Sequence, residues 1–128
     1  MSTDPASEEP RIGDHLARAL EAIIDERKLR DYALNPDHPV GGPKARVFAT
    51  ALDIGSDDWE HLRGELLRTL PEGHVDRINA GPYATTYGVR LAIRGLNHRE
   101  ARVITAWQLH DGVPRLVTVY IDVASLGA

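Results

Sequence analysis

The stretch YGVRLAIR at residues 87–94 decides the fold class, because its apolar side chains recur at every second position. This period is typical of a β-strand that has one face in a core and the other face in water. The same alternation predicts a strand over residues 101–110 and another over residues 115–121. The apolar positions of the first strand are Tyr87, Val89, Leu91 and Ile93.

The connections between these strands are short. Residues 95–99 have the composition of a turn, and Asp111-Gly112 is a strong hairpin signal. Strands joined in this way form an antiparallel β-meander that is open to water on one face. A further short strand is expected at residues 75–78, which makes three to four strands in all.

In the first half of the chain the apolar residues are spaced three and four apart, which predicts helices. Ser56 is expected to cap the last of them. For the first two, a single longer helix and a short edge strand at residues 22–24 are alternatives. The fold class is therefore α+β, with N-terminal helices packed on a C-terminal three- to four-stranded antiparallel β-meander. The predicted helices cover residues 15–24, 27–34, 44–52 and 57–70.

The domain organisation is simple. The chain has 128 residues, which is a usual size for one domain, and it contains no internal repeat. Residues 1–10 are acidic, polar and interrupted by proline, which predicts a disordered acidic tail. Residues 11–128 are expected to form a single α+β domain.

The composition excludes several classes of protein. There is no cysteine, so disulfides, thiolate metal sites and cysteine nucleophiles are excluded. No apolar run approaches the roughly 20 residues that a membrane-spanning helix needs. The first residues lack the basic and apolar regions of a secretory signal. We therefore expect a cytoplasmic protein without a membrane partner.

The net charge of −4 bears on nucleic-acid binding, because proteins that bind nucleic acids usually carry a basic surface. The acids cluster at residues 4–9, 21–26 and 53–60, and without residues 1–9 the remainder is close to neutral. A local basic strip on the meander is compatible with this balance, although such arginines more often only solvate a sheet. The arginines on or beside the meander are Arg90, Arg94, Arg102 and Arg115.

The most unusual segment is DHPVGGPK at residues 37–44. Its prolines limit the conformations of the loop, so His38 would be presented for general acid or base chemistry at little entropic cost. Lys44, in the first turn of the next helix, would stabilise negative charge, and Arg46 follows on the same helix. Alternatively, proline and glycine merely form the turn, and His38 is hydrogen-bonded locally.

Two pairs of polar and aromatic residues lie in the predicted strands. Thr105 and Trp107 share one strand face, and Thr118 and Tyr120 share another. If the two faces coincide, the sheet presents hydroxyls that bind phosphate and rings that stack on a base. The alternative is ordinary strand preference, since Thr, Trp and Tyr are all good strand formers.

Several recognisable chemistries are missing from the sequence. The five other histidines show no pair at the i, i+4 spacing of a helical metal site, so no metal is expected. There is no P-loop, no Gly-x-Ser-x-Gly elbow and no dinucleotide fingerprint, so no cofactor is expected. These histidines are interpreted as surface or turn residues: His15, His61, His74, His98 and His110.

Residues 28–48, KLRDYALNPDHPVGGPKARVF, resemble a bacterial family of uncharacterised small domains whose signature is KLxDYxLNPxHPxGxxKAxxF. The segments TAW at residues 105–107 and PRLVTVY at residues 114–120 are also similar to that family, so the resemblance covers about residues 27–121. It implies an association with toxin systems. The order of helices and sheet also resembles ribonucleases of the barnase, EndoU, colicin and RelE type, which is an analogy of fold.

The leading hypothesis is a metal-independent ribonuclease-like domain of toxin type that acts on RNA. In this hypothesis His38, Lys44, Thr118 and Tyr120 are catalytic. The substrate-binding residues would be Thr105, Trp107, Arg46 and Arg115.

The alternative is a non-catalytic binding protein, such as an antitoxin, immunity protein or adaptor of a bacterial toxin system. The expected protein partner is a cognate toxin or antitoxin. The acidic balance favours this alternative, because an acidic surface can neutralise a basic toxin. An exposed edge of the meander would also allow two copies to pair as a homodimer.

Overall fold

The computed structural model describes residues 9–126 and confirms the α+β fold class. Helices precede a four-stranded sheet of order β1-β2-β3-β4, and each pair of neighbouring strands is antiparallel. A π-helical segment, Lys28–Ala33, comes before the first α-helix. The helices and strands are α1 (Gly42–Leu52), α2 (Trp59–Thr69), β1 (Val75–Ala80), β2 (Thr85–Arg94), β3 (Glu100–His110) and β4 (Val113–Ile121).

The predicted meander is confirmed in detail. The turn between β3 and β4 consists of Asp111 and Gly112, whose φ angles of 53° and 80° are both positive. Asp-Gly is suited to such a turn, because aspartate tolerates and glycine freely adopts the left-handed region. The register of β3 and β4 shifts at a bulge between Ala106 and Trp107.

The core lies between the helices and one face of the sheet, here called the core face. This face consists of Tyr87, Val89, Leu91 and Ile93 of β2, Ala101, Val103, Thr105 and Trp107 of β3, and Leu116, Val119 and Ile121 of β4. From the helices, Phe48 and Leu52 of α1 and Leu62 and Leu66 of α2 are fully buried against it. Full burial of one such apolar side chain contributes about 1.5–3 kcal/mol, so this interface holds the two halves together.

The predicted helix over residues 15–24 is wrong. A 3₁₀ turn, Ala19–Glu21, occupies its middle, and Leu20 is exposed. Ile23 then pairs with the edge of β4, donating its N–H to Pro114 O at 2.8 Å and accepting from Leu116 N–H at 3.0 Å. The unsatisfied backbone of a sheet edge offers these partners, so the edge-strand alternative describes the segment better than a helix does.

The start of α2 also differs from the expectation. Ser56 lies in a 3₁₀ turn, Ser56–Asp58, rather than at the helix cap. The Asp58 carboxylate closes this turn by accepting a hydrogen bond of 2.9 Å from the N–H of Gly55. An acidic side chain at the positive end of a helix dipole is favourable, which accounts for Asp58 and not Ser56 standing at the start of α2.

The outer edges of the sheet are partly paired within the chain. The edge of β4 is paired with Ile23, and Val75 at the start of β1 is paired with Gly13 and Asp14. Beyond Val75, the rest of β1 is exposed. The homodimer stays a prediction, and β1 is the edge at which it would form.

Three other expectations concern the ends of the chain and its surroundings. The predicted acidic tail at residues 1–10 lies mostly outside the described residues, which begin at residue 9. The assignment of residues 11–128 to one domain stays a prediction. Within residues 9–126, no helix has the length and apolar character needed to cross a membrane.

Candidate functional site

The loop between the π-helical segment and α1 is closely packed. A Cβ atom at Gly41 would lie 2.8 Å from the carbonyl oxygen of Tyr32, and one at Gly42 would lie 2.6 Å from that of Pro36. Real Cβ atoms do not approach backbone oxygen so closely, so both positions require glycine. The glycines therefore bring the start of α1 against the preceding segment.

His38 closes this loop. Its Nδ1 accepts hydrogen bonds from the backbone N–H groups of Val40, at 3.1 Å, and Gly41, at 3.0 Å. Because Nδ1 is the acceptor, we assign the ring proton to Nε2. The ring also packs edge-on against Tyr32, with centroids 4.6 Å apart. His38 thus satisfies donors just ahead of α1, as a helix cap does, and keeps only Nε2–H as a donor.

Lys44 connects the loop to the sheet. It lies in the first turn of α1, and its Nζ stands 4.1 Å from the centroid of the Tyr120 ring on β4. This distance is within the range of a cation–π interaction. Two residues that are 76 positions apart in the sequence therefore meet, one from the loop–helix segment and one from the sheet.

Thr105 and Trp107 lie on the core face and have no exposed surface. Trp107 Nε1–H donates to Thr105 Oγ1 at 2.7 Å, and the Thr105 hydroxyl donates to Val89 O at 2.6 Å. These bonds satisfy the polar atoms inside the core. The predicted roles of Thr105 in binding phosphate and of Trp107 in stacking on a base are contradicted, because neither side chain reaches the surface.

Thr118 and Tyr120 lie on the opposite side of the sheet, here called the outer face. Residues that pair across an antiparallel ladder share a face. The outer face is therefore made of the rows Gly88–Ala106–Thr118 and Arg90–Ile104–Tyr120, with Ala92 and Arg102 next in register. Thr118 and Tyr120 are half-buried there, so their face does not coincide with that of Thr105 and Trp107.

The arginines divide into separate groups. Arg90 and Arg102 are exposed on the outer face, and Arg90 pairs with Asp76 at 3.1 Å and with Asp122 at 3.6 Å. Arg46 donates to the Pro36 carbonyl at 3.2 Å, so it braces the loop. The basic strip of the outer face is thus partly neutralised by two carboxylates.

Arg115 belongs to a different depression, of about 350 Å³, at the edge of β4. Asp25, Lys28 and His110 also line this depression. A hydrogen bond from the Arg27 guanidinium lowers the pKa of Asp25 from 3.8 to about 2. The structure does not place Arg115 in the groove that Lys44 and Tyr120 line.

A groove of about 380 Å³ runs beside Lys44 and Tyr120. We call it the Lys44 groove. Asp122 and Val47 were not predicted as members of the site. The sequence offers one signal for Asp122, its position directly after the last strand. The lining residues are Pro43, Lys44, Val47, Ile104, Tyr120, Ile121, Asp122 and Val123.

The chemistry available here consists of one ammonium group, one phenol, one carboxylate and the neighbouring Thr118 hydroxyl. Such groups can bind a phosphate and hold a flat apolar ring. Among residues 9–126, no three His, Asp or Glu side chains are grouped so that they could hold a metal ion.

Comparison with known proteins gives one family and one fold. The model of a family described as "Domain of unknown function (DUF6883)" matches residues 15–123. No curated protein matches the chain. A similar solved structure is a chain of a contact-dependent growth inhibition toxin–immunity protein complex from Klebsiella pneumoniae 342. The similarity has a TM-score of 0.62 at 13% identity, and it covers 82% of this chain and 97% of that chain.

Proposed function

The chain belongs to the DUF6883 family, and from this premise we propose that it is the RNA-cleaving component of a bacterial toxin system. The proposal takes the Lys44 groove and the adjoining outer face as the site that acts on RNA. It takes the cognate immunity protein as the second partner.

The link to a toxin system is supported by the similarity of fold. The similar chain comes from a toxin–immunity protein complex, and nearly its whole length is matched. At an identity of 13%, the similarity indicates a shared fold and does not indicate a shared activity. The choice of RNA cleavage therefore rests on the site.

The observation that carries the proposal is the contact between Lys44 and Tyr120. A cation held over a phenol, with the Thr118 hydroxyl and Arg90 on the same face, suits a ribose–phosphate chain lying along the sheet. Arginine and lysine neutralise phosphates, and Tyr120 holds the Lys44 ammonium group in place beside the outer face. The open, antiparallel sheet gives a strand of RNA direct access to these groups.

The reaction we propose is attack of the ribose 2′-oxygen on the adjacent phosphorus, which forms a 2′,3′-cyclic phosphate. The bond from phosphorus to the 5′-oxygen breaks, and that oxygen leaves as an alcohol after it gains a proton. Lys44 would stabilise the additional negative charge on phosphorus-bound oxygen, and Thr118 would donate a hydrogen bond to the phosphate. The proton of the 2′-hydroxyl would pass through solvent water to the leaving 5′-oxygen. Because Nδ1 is engaged by the loop, His38 is a neutral imidazole, and it would donate a hydrogen bond from Nε2–H to the phosphate without transferring the proton.

The first test compares the two lysines of the chain, Lys28 and Lys44. Purified wild-type protein should cleave RNA, and Lys44→Ala should lower the rate about a hundredfold, the usual loss when one charge-stabilising group is removed. Lys28→Ala is the matched control and should cleave at the wild-type rate, because Lys28 lies outside the Lys44 groove. Equal rates for the two variants would contradict the assignment of Lys44.

A second test separates the two roles of His38. His38→Asn keeps a side-chain acceptor for the loop but removes the Nε2 donor, whereas His38→Ala removes both. If the Nε2–H of His38 donates a hydrogen bond to the phosphate, both variants lose cleavage while His38→Asn keeps the wild-type melting temperature. If His38 is only a cap, His38→Asn retains activity, and only His38→Ala loses stability, by about 1 kcal/mol.

The alternative function, a non-catalytic immunity or antitoxin protein, is favoured by the net charge of −4 and its acidic clusters. Acidic surfaces bind and neutralise basic partners. In this case wild type cleaves no RNA, and a basic toxin co-purifies with it. A cleavage assay on transfer, ribosomal and messenger RNA therefore distinguishes the two functions directly.

A further inference from the structure

The Lys44 groove has the shape and lining of a site for a flat ring. Its walls come from α1 on one side and from β3, β4 and the residues after β4 on the other. Most lining side chains are apolar, and the polar ones are Lys44, the Tyr120 hydroxyl and Asp122. Apolar walls with a few polar groups are the usual composition of a small-molecule site.

Asp122 is the group that gives this groove a chemical preference. Its side chain is 21% exposed. Its Oδ1 accepts a hydrogen bond of 3.2 Å from the N–H of Ala124, and its Oδ2 lies 3.6 Å from Arg90 Nε. These contacts hold the carboxylate in one orientation. A carboxylate oxygen has two acceptor sites, so each oxygen can accept one further hydrogen bond.

The nucleobases differ in what they offer to a carboxylate. Guanine presents two adjacent donors on its Watson–Crick edge, the N1–H and the 2-amino group. Adenine and cytosine place a ring-nitrogen acceptor beside their amino group, and uracil places carbonyl acceptors on both sides of its N–H. Guanine can therefore donate two parallel charge-assisted hydrogen bonds to the carboxylate. Each of the other bases would place a hydrogen-bond acceptor next to the carboxylate oxygens, which is unfavourable.

We propose that the Lys44 groove binds the guanine base of a ribonucleotide, with Asp122 accepting from the base and Lys44 reaching the phosphate. This inference rests on the proposed function, since it names the base at which RNA would be recognised. The apolar walls from Val47 and Ile104 contact the ring, and Tyr120 fixes the position of Lys44. Asp122 is then a specificity-determining residue.

The test measures the equilibrium binding of the four mononucleotides GMP, AMP, CMP and UMP to the full-length protein, with NMR or calorimetry as the method of detection. We expect GMP to bind at least about tenfold more tightly than the others, because one hydrogen bond to a charged group is worth about that factor. Asp122→Asn should bring the affinity for GMP to within about threefold of that for AMP. Asp57→Asn, at an exposed position outside the groove, should leave the preference unchanged.

Two results would overturn the inference: no binding or equal binding of the four mononucleotides by wild type, or an unchanged GMP preference in Asp122→Asn. A melting curve of Asp122→Asn ensures that a lost preference is not lost folding. The wild-type comparison needs no variant and decides the question even if Asp122→Asn is unstable.

A second arm separates this inference from the proposed function. Two RNA hexamers that differ only in one central base, guanine or adenine, are offered to wild type. RNA cleaved without base preference, together with equal mononucleotide binding, overturns the guanine site and leaves the nuclease proposal intact. Selective binding of GMP with no binding or cleavage of either hexamer supports the guanine site and assigns it to a free nucleotide.

Discussion

The two faces of the sheet carry nearly the same pair of residues and put them to opposite uses. On β3, Thr105 and Trp107 lie on the core face, where they are fully buried and hydrogen-bonded to each other. On β4, Thr118 and Tyr120 lie on the outer face, half-buried, with Lys44 over the phenol ring. A threonine and an aromatic residue two positions apart thus form a structural element in one strand and part of a candidate site in the next.

This difference shows what the alternation of a strand can and cannot tell. Period two establishes that Thr105 and Trp107 share a face, and that Thr118 and Tyr120 share a face. It does not establish which face each pair takes. The strand register and the bulge at Ala106 and Trp107 decide that, so that Tyr120 stands opposite Ile104 rather than Val103.

The largest expected difference between the faces is in stability. Trp107→Ala should lower the free energy of unfolding by about 3–5 kcal/mol, because it leaves a large cavity in a closely packed core. Tyr120→Ala should lower it by only about 1 kcal/mol, which includes the lost interaction with Lys44. Urea denaturation of both variants measures the two values.

If Tyr120→Ala lowered the free energy of unfolding as much as Trp107→Ala does, Tyr120 would have to lie in the core. That result would contradict the difference between the two faces. Tyr83→Ala serves as the reference for an aromatic residue that is fully accessible, since Tyr83 is 99% exposed. Its unfolding free energy should match that of the wild type within about 0.5 kcal/mol.

A smaller difference is expected for the two hydroxyl groups. Thr105→Val removes the acceptor of Trp107 Nε1–H in the core and should cost about 1–3 kcal/mol, because a buried donor is left unsatisfied. Thr118→Val should change the stability by less than about 0.5 kcal/mol, since water reaches its face. The same urea titrations apply, and equal losses would contradict the assignment of the two faces.

The smallest effect concerns an exposed ion pair, Arg27–Asp25, beside the edge of β4. Arg27→Ala should raise the pKa of Asp25 from about 2 toward 3.8, because it removes the hydrogen bond from the guanidinium. The folded-state pKa is lowered, so the contribution of Asp25 to stability is present above pH 3.8 and is lost as the pH falls through about 2.

An NMR titration of the Asp25 carboxylate measures this shift in pKa. At neutral pH the variant should unfold at nearly the wild-type temperature, because exposed ion pairs contribute little. Arg63→Ala, an exposed arginine of α2, is the control and should leave the Asp25 titration unchanged. An unshifted titration in Arg27→Ala would mean that another group holds the carboxylate.

Much of the fold was predictable from local patterns. The alternation over residues 87–94, the Asp111-Gly112 turn and the proline-rich loop each depend on a few neighbouring residues, and all three were predicted correctly. The prediction of a helix over residues 15–24 was wrong because this segment pairs with the edge of β4, a partner that is remote in sequence. Local spacing carries no information about such a partner.

The candidate site was predicted only in part. Lys44 and Tyr120 were both named from the sequence, and the structure brings them together. Asp122 was missed because a single acidic residue after a strand carries no signal of its own. Trp107 was misplaced because strand propensity is the same for a tryptophan in a core as for one on a binding face.

The sequence by itself determined the elements: an alternating C-terminal half that must form a meander, and a glycine- and proline-rich loop that must start a helix. These follow from the stereochemistry of a few adjacent residues. Only the tertiary structure decided which face of the meander the helices cover. That choice depends on the total apolar surface buried by residues far apart in the chain, and it leaves Thr118 and Tyr120 beside Lys44 while Thr105 and Trp107 are enclosed.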